Sequence, residues 1–92
     1  MPYRNSMQIM TDVLLQTSQY GLDGANKSNL IQKANLSHSR LKQFLNNLIN
    51  SGLINDIVYH NHQTFVITPK GLKFLEEYRN FVELAGSFGL EL

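Results

Sequence analysis

The chain has 92 residues, with 8 lysines and arginines against 7 aspartates and glutamates, 3 histidines and no cysteine, which gives a formal net charge of +1. A chain of this length buries roughly 60–65% of its unfolded surface on folding, which is enough for one modest core. We therefore expect one soluble domain over residues 1–92, without a catalytic cleft between domains. The absence of cysteine excludes disulfides, thiolate zinc sites and cysteine nucleophiles.

The charge is distributed unevenly along the chain. Residues 1–52 carry five basic side chains against two acidic ones, whereas residues 53–92 carry three against five. A weakly basic half joined to a weakly acidic half indicates that the first half faces nucleic acid. The apolar stretch at residues 9–15 is short and includes Thr11 and Asp12, so neither a signal peptide nor a membrane span is expected.

Three helices are predicted in the first half from apolar residues at helical spacing. The first covers about residues 5–19. The second, residues 27–33 or 27–34, follows Asn26, whose side-chain oxygen can accept a hydrogen bond from an amide of the first turn. The third, residues 38–51, follows Ser37, a second capping residue. It has the clearest core-facing stripe of the sequence, formed by Leu41, Phe44, Leu45, Leu48 and Ile49.

The second half predicts a β-hairpin and a long helix. Gly52 is expected to take a left-handed conformation after the third helix. Runs of β-branched and aromatic residues, at 53–59 and 64–67, flank the polar connection 60–63. Thr68 and the following proline predict the start of a final helix over residues 69–85. We expect Gly86 to end that helix, which leaves residues 86–92 as a flexible tail.

This order predicts a mainly α-helical fold with a small β-hairpin, in the α+β class: a winged helix-turn-helix with element order α-α-α-β-β-α. The second and third helices, joined by a turn at residues 35–37, form the helix-turn-helix, and the hairpin after them forms the wing. A three-helix core of this kind holds its third helix outward, where it fits the major groove of DNA, about 12 Å wide.

The sequence resembles a family of small archaeal winged-helix proteins, related in pattern to multi-drug-resistance-type and chromatin-associated regulators. The resemblance covers nearly the whole chain. It lies in residues 34–37, Leu41, Phe44, Leu45, Leu48, residues 51–54, residues 67–71, Phe74 and Leu75. It implies a transcriptional or chromatin regulator that binds DNA as a homodimer through a C-terminal helix, in the cytoplasm and associated with the nucleoid. We expect the family's long coiled-coil arm to be truncated here, because Gly86 and Gly89 weaken a helix beyond Ala85.

The outward face of the third helix is the predicted DNA-binding surface. Steps of 100° per residue place hydrogen-bonding and basic side chains opposite the core-facing stripe. They are Ser39, Arg40, Lys42, Gln43, Asn46, Asn47 and Asn50. Amides suit adenine, whereas arginine and lysine suit guanine or phosphate. The alternative is that these polar residues only solvate an exposed helix.

Two further sets of residues are candidates for DNA contact. Lys27 and Ser28, at the start of the second helix, suit phosphate because free amides and the helix dipole favour anions there; ordinary capping is the alternative. His60 and His62, in the wing, are expected either to contact the DNA backbone or to form a solvated loop. Two histidines without a cysteine or a dense carboxylate cluster do not make a metal site. His38 is expected to be a partly buried packing residue.

The final helix has an apolar face wider than one small domain can cover. We predict that part of it, formed by Phe74, Tyr78, Phe81 and Ala85, packs against a second copy in an isologous dimer. The alternative is a monomer in which the first helix and the hairpin cover this face.

No catalytic constellation is present: we find no nucleophile elbow, no glycine-rich phosphate loop and no paired carboxylates on a buried face. We therefore predict a protein that is not an enzyme, without cofactor, metal or evident small-molecule ligand. The predicted partners are double-stranded DNA and a second copy of the chain. The competing interpretation is a winged-helix protein-interaction module that does not bind DNA, which the low net charge and the wing tip without lysine or arginine favour.

Overall fold

The structure, a computed structural model, describes residues 5–91, with the side chain of Tyr59 left aside. It contains four helices and one two-stranded antiparallel sheet. In chain order these are α1 (Ser6–Ser18), a short 3₁₀ turn (Gly21–Asp23), α2 (Lys27–Ala34), α3 (His38–Asn50), β1 (Ile54–Tyr59), β2 (His62–Ile67) and α4 (Pro69–Ser87). The predicted fold class and element order are confirmed. Among the described residues, no helix is both long and apolar enough to span a membrane.

Each α-helix begins at a side-chain cap. In every case the side-chain oxygen of the capping residue accepts a hydrogen bond from the backbone amide three residues later, which satisfies a donor that the first turn leaves unpaired. The caps are Asn5 (2.8 Å), Asn26 (2.8 Å), Ser37 (3.3 Å) and Thr68 (3.0 Å). The predicted caps of α2, α3 and α4 are confirmed.

Helices α3 and α4 are each followed by a glycine with positive φ. Gly52, at φ 77°, donates to the carbonyl of Ile49 at 3.0 Å, and the next amide donates to the carbonyl of Leu48 at 2.9 Å. Gly89, at φ 76°, donates in the same way to the carbonyl of Gly86 at 2.9 Å, and the amide of Leu90 donates to the carbonyl of Ala85 at 2.9 Å. These pairs of bonds satisfy the last carbonyls of each helix.

The prediction that α4 ends at Gly86 is wrong, because the helix continues to Ser87. A glycine within a helix costs about 1 kcal/mol relative to alanine but does not stop the helix. The left-handed conformation that ends it is taken three residues later, at Gly89.

The hairpin turn is shorter than predicted. Tyr59 pairs with His62, so the turn consists of His60 and Asn61 alone, at φ 49° and 64°. The four-residue polar connection predicted at 60–63 is therefore wrong, and its last two residues belong to β2. Two positive φ values are the requirement of a type I′ turn, which matches the twist of paired strands, and asparagine and histidine tolerate this region better than most residues.

A third segment joins the hairpin at one residue. Ala25 exchanges two backbone hydrogen bonds with Phe65, at 2.9 and 2.8 Å. Both residues are buried. This bridge ties the chain just before α2 to the strand β2, and thus fixes the helix-turn-helix against the wing.

One core lies between α1, α2, α3 and the hairpin. Its most enclosed large side chains are Phe65, Leu14, Leu30, Leu41, Ile54 and Val13. The first half of α4 packs on this core through the partly buried Phe74 and Leu75. Most of the apolar surface of the second half of α4 stays exposed.

Among the glycines, Gly71 in the first turn of α4 has the closest neighbouring atoms. A Cβ placed there would collide with the backbone carbonyl oxygen of Leu53 and would lie 2.6 Å from Cγ1 of Ile67. Glycine at this position therefore lets α4 lie directly against the open end of the hairpin, where β1 begins and β2 ends.

Gly71→Ala is expected to lower the free energy of unfolding by about 2 kcal/mol or more, because the added methyl group meets backbone that cannot move aside. Urea titration followed by circular dichroism measures the change. Gly86→Ala is the matched control. No atom lies within 4 Å of a Cβ at that helical position, so alanine should stabilise the protein by about 0.5–1 kcal/mol. Equal effects of the two substitutions would contradict the close approach.

Candidate nucleic-acid interface

The turn between α2 and α3 is set by one left-handed residue and one buried residue. Asn35 ends α2 with φ 55° and ψ 54°, a conformation that asparagine tolerates. Leu36 is then buried in the core, and Ser37 caps α3. The connection between α2 and α3 is thus three residues long.

Burial on one side of α3 leaves its other side open. Leu41, Phe44, Leu45 and Leu48 are all buried. Every residue of α3 that helical periodicity predicted to contact DNA is exposed. These residues are Ser39, Arg40, Lys42, Gln43, Asn46, Asn47 and Asn50. Their contact with DNA stays a prediction. His38 is exposed too, so its predicted packing role is wrong: at this end of α3 the core positions are occupied by Leu36 and Leu41.

The four amide side chains of α3 share one stripe and have no hydrogen-bond partner among residues 5–91. They are Gln43, Asn46, Asn47 and Asn50. The helix backbone is satisfied internally, so these amides keep their full capacity of two donors and one carbonyl acceptor each. The stripe is a row of hydrogen-bonding groups presented to whatever approaches α3.

Arg40 lies at the side of this stripe. Its guanidinium carbon is 5.7 Å from the ring centroid of Phe44, a cation–π arrangement. Phe44 is itself buried. The contact holds the positive charge near the α2–α3 turn.

Lys42 lies on the other side of the amide stripe from Arg40, in a pocket between α2, α3 and the hairpin. The pocket has a volume of about 140 Å³. It is lined by Lys27 of α2, by Lys42, Leu45, Asn46 and Ile49 of α3, and by Asp56, Gln63 and Phe65 of the hairpin. The structure thus brings Lys27, a predicted phosphate contact of α2, close to Lys42 of α3.

Asp56 is the residue of this surface that the sequence analysis missed. Its carboxylate oxygen Oδ2 accepts a hydrogen bond from Nε2 of Gln63 at 2.9 Å. Asp56 pairs with Phe65 and Gln63 pairs with Val58, so the two polar side chains are diagonal neighbours on one face of the hairpin. A two-residue turn would have predicted this pairing, whereas the four-residue connection left Gln63 outside the strand.

The start of α2 presents exposed residues beside its cap. Lys27 and Ser28 are both exposed in the first turn. Asn26 and Asn29 form a reciprocal capping box, in which each side-chain oxygen accepts from the other residue's amide, at 2.8 and 3.1 Å. The amides of Lys27 and Ser28 themselves stay available to an anion, as a phosphate contact requires.

The wing carries its two histidines on the outside. His60 lies in the turn and His62 opens β2, and both are exposed. Val58, on β1, is 74% exposed. In the part of the chain that the structure describes, no group of three or more His, Cys, Asp or Glu side chains is arranged to hold a metal ion.

The predicted dimerisation residues of α4 divide into two groups. Phe74 and Tyr78 stack at 6.3 Å between centroids and are partly buried, and Ala85 is buried, all by the chain itself. Phe81 is 55% exposed. It belongs to a larger set of exposed apolar side chains at the end of the chain: Phe81, Val82, Leu84, Phe88 and Leu90.

An apolar groove of about 440 Å³ lies between α1 and α4. Its floor is apolar and two charged residues of α4 stand at its rim. The lining residues are Thr11, Leu15, Leu75, Glu76, Tyr78, Arg79 and Val82. Leu15 is 44% exposed here, so this part of α1 is left uncovered.

The fold is shared with solved DNA-binding proteins of low sequence identity. One is Sso10a-2, a DNA-binding protein of Sulfolobus solfataricus, which superposes with a TM-score of 0.75 at 20% identity over 92% of this chain and 85% of that one. Another is BpsR of Bordetella bronchiseptica, a protein whose DNA binding is regulated by 6-hydroxynicotinic acid. It superposes with a TM-score of 0.74 at 15% identity over 86% of this chain and 57% of that one.

No curated protein sequence matches the chain. The sequence model of the winged helix-turn-helix family, however, matches residues 3–86, which include all four helices up to the last turn of α4 and both strands of the wing. The match agrees with the left-handed turn between α2 and α3 and with the hairpin that follows α3 directly. The chain therefore belongs to the winged helix-turn-helix family.

Proposed function

We propose that this chain is a DNA-binding transcriptional regulator that inserts α3 into the major groove of duplex DNA. The observation that carries the proposal is the exposed stripe of unpaired amides on α3, held outward by four buried residues of the same helix. The two structurally similar proteins are both described as binding DNA, which supports the proposal. Binding rather than catalysis is the activity that this surface fits.

The basic residues around the stripe supply the attraction to phosphate. Arg40 flanks one side of α3, and Lys42 with Lys27 flanks the other. Phosphate contacts of this kind orient a helix in the groove without reading sequence. Within residues 5–91 we assign three such cations to this surface. We therefore expect modest non-specific binding, with the protein on the nucleoid in the cytoplasm rather than as a dense coat on DNA.

The exposed end of α4 supports a homodimer. The helix has 19 residues, or about 28 Å at 1.5 Å per residue, and only its first half packs on the core. In an isologous dimer, residue i meets residue j and residue j meets residue i. An antiparallel pair of α4 helices centred on Phe81 and Val82 would bring residues 84–88 of each copy to the level of residues 75–79 of the other, where the α1–α4 groove opens.

A protein-interaction module remains the second candidate. Val58 is 74% exposed on the wing, and Asp56 places a carboxylate beside the two lysines. An exposed apolar residue on a wing without lysine or arginine at its tip suits a protein surface better than a phosphate backbone.

The salt dependence of binding distinguishes the two candidates. A fluorescein-labelled random duplex is titrated with the protein at several salt concentrations from 50 mM upward, and anisotropy gives the affinity. A dimer with a few phosphate contacts per subunit predicts a log–log slope of magnitude about 3 to 6. The absence of binding near 50 mM salt would refute the DNA-binding proposal and favour the protein-interaction module.

Removal of the flanking cations should flatten that slope. Lys42→Gln is expected to reduce its magnitude by about 2 per dimer, and the double substitution of Arg40 and Lys42 by about twice as much. Lys73→Gln is the matched control, because Lys73 pairs with Glu77 on α4 at 3.2 Å and lies outside the proposed interface. An equal loss of slope for Lys42→Gln and Lys73→Gln would contradict the assignment.

Asp56→Asn should strengthen non-specific binding. It removes a negative charge from the pocket of Lys27 and Lys42 while an amide oxygen can still accept from Gln63, and the expected gain is about twofold to fivefold at low salt. The control is Glu83→Gln, the same charge change on α4. If both variants bind equally more tightly, net charge alone is responsible and Asp56 does not lie at the interface.

Phe81→Asp is expected to give a folded monomer by sedimentation equilibrium, because it buries a charge in the proposed interface. Leu22→Asp is the matched control: Leu22 is 89% exposed in the 3₁₀ turn, so the dimer should persist. Circular dichroism verifies that both variants fold. A Phe81→Asp protein that stays dimeric would exclude this interface.

A further inference from the structure

Apart from Ser39, the surface that α3 offers to the bases is made of amides. Gln43, Asn46, Asn47 and Asn50 follow the spacing i, i+3, i+4, i+7, which places them in one stripe along the helix. Seven residues of helix span about 10 Å, close to the length of three base pairs. No residue from 43 to 50 carries a charge.

The nearby cations are held at the sides of this stripe. Arg40 stacks on Phe44, and Lys42 lies in the pocket with Asp56. Recognition of guanine in the major groove relies on arginine or lysine donating to O6 and N7, because both of these atoms are acceptors. The positions of Arg40 and Lys42 suit phosphates on either side of the groove instead.

An amide side chain matches adenine. In the major groove adenine presents one donor, its N6 amino group, next to one acceptor, N7, and an asparagine or glutamine can bond both at once. The four amides have no hydrogen-bond partner among residues 5–91, so none of them has to leave a protein contact to do so. Guanine, with two acceptors side by side, would leave the carbonyl of each amide unpaired against it.

We propose that α3 selects A·T base pairs by hydrogen bonds from its amide stripe to adenine N6 and N7 in the major groove. The inference rests on the proposed function and adds the class of sequence that it prefers. Gln43, at the N-terminal end of the stripe, has the longest of the four side chains and therefore the longest reach toward the base edges. Arg40 and Lys42 contribute affinity without base preference.

Four duplexes of one length and one flanking sequence test this proposal. The first has a central A·T block, the second a G·C block, the third I·C pairs in place of G·C, and the fourth 7-deazaadenine in place of adenine. Inosine lacks the guanine amino group in the minor groove and is identical to guanine in the major groove. The deaza base lacks N7 and keeps its Watson–Crick pairing.

We expect the A·T duplex to bind about tenfold more tightly than the G·C and I·C duplexes, since one bidentate contact is worth about that factor. The 7-deazaadenine duplex should lose most of the advantage. Gln43→Ala should reduce the preference for A·T without changing the salt slope, whereas Gln32→Ala, the same change at an exposed position of α2, should leave both unchanged.

Three results would overturn the proposal. Equal binding of all four duplexes with a normal salt slope would leave DNA binding intact and refute base selection. Binding of I·C as tight as A·T would place the readout in the minor groove. If the Gln43→Ala variant prefers A·T as strongly as the wild-type protein does, Gln43 does not select the base. Failure to bind any duplex at 50 mM salt would instead refute the proposed function itself.

Discussion

The hydroxyl of Thr68 holds together the three elements that define the shape of this protein. It donates to the carbonyl of Gly52 at 2.7 Å, just after α3, and accepts from the amide of Gly71 at 3.0 Å, in the first turn of α4. Its backbone amide donates to Leu53 at 3.1 Å. The end of α3, the base of the wing and the start of α4 therefore meet at one residue. A side chain that satisfied only one of these partners would leave a buried polar group unpaired.

In the proposed interface, basic residues attract the phosphates and uncharged amides recognise the bases. The cations lie beside the amide stripe, and Asp56 offsets part of the charge of Lys27 and Lys42. The low net charge of the chain is consistent with this arrangement, because uncharged amides discriminate between bases through geometry rather than through Coulomb attraction. Such a protein binds random DNA only weakly, because the attraction to phosphate, which does not depend on sequence, is small.

Features of the structure that depend only on residues close together in the sequence could be predicted. Caps such as Asn26 and Thr68 act within one turn, and the apolar stripe of α3 follows helical period alone. The turn at His60 and Asn61 was not predictable in this way, because its length is fixed by the register of the strands and by the bridge of Ala25 to Phe65, forty residues apart. The pocket around Asp56 depends on the same register. The end of α4 was misplaced because Gly86 and Gly89 look equivalent locally, and only the hydrogen bonds of the last turn distinguish them.

The close approach at Gly71 has a consequence for DNA spacing. Because α4 starts one residue after β2 and lies directly against the open end of the hairpin, no flexible linker separates it from the rest of the domain. In the proposed dimer, the separation of the two α3 helices is then a fixed dimension of the protein, set by where two α4 helices cross. DNA whose half-sites are out of phase with that dimension would have to twist or bend to be bound, at a cost that depends on its own stiffness.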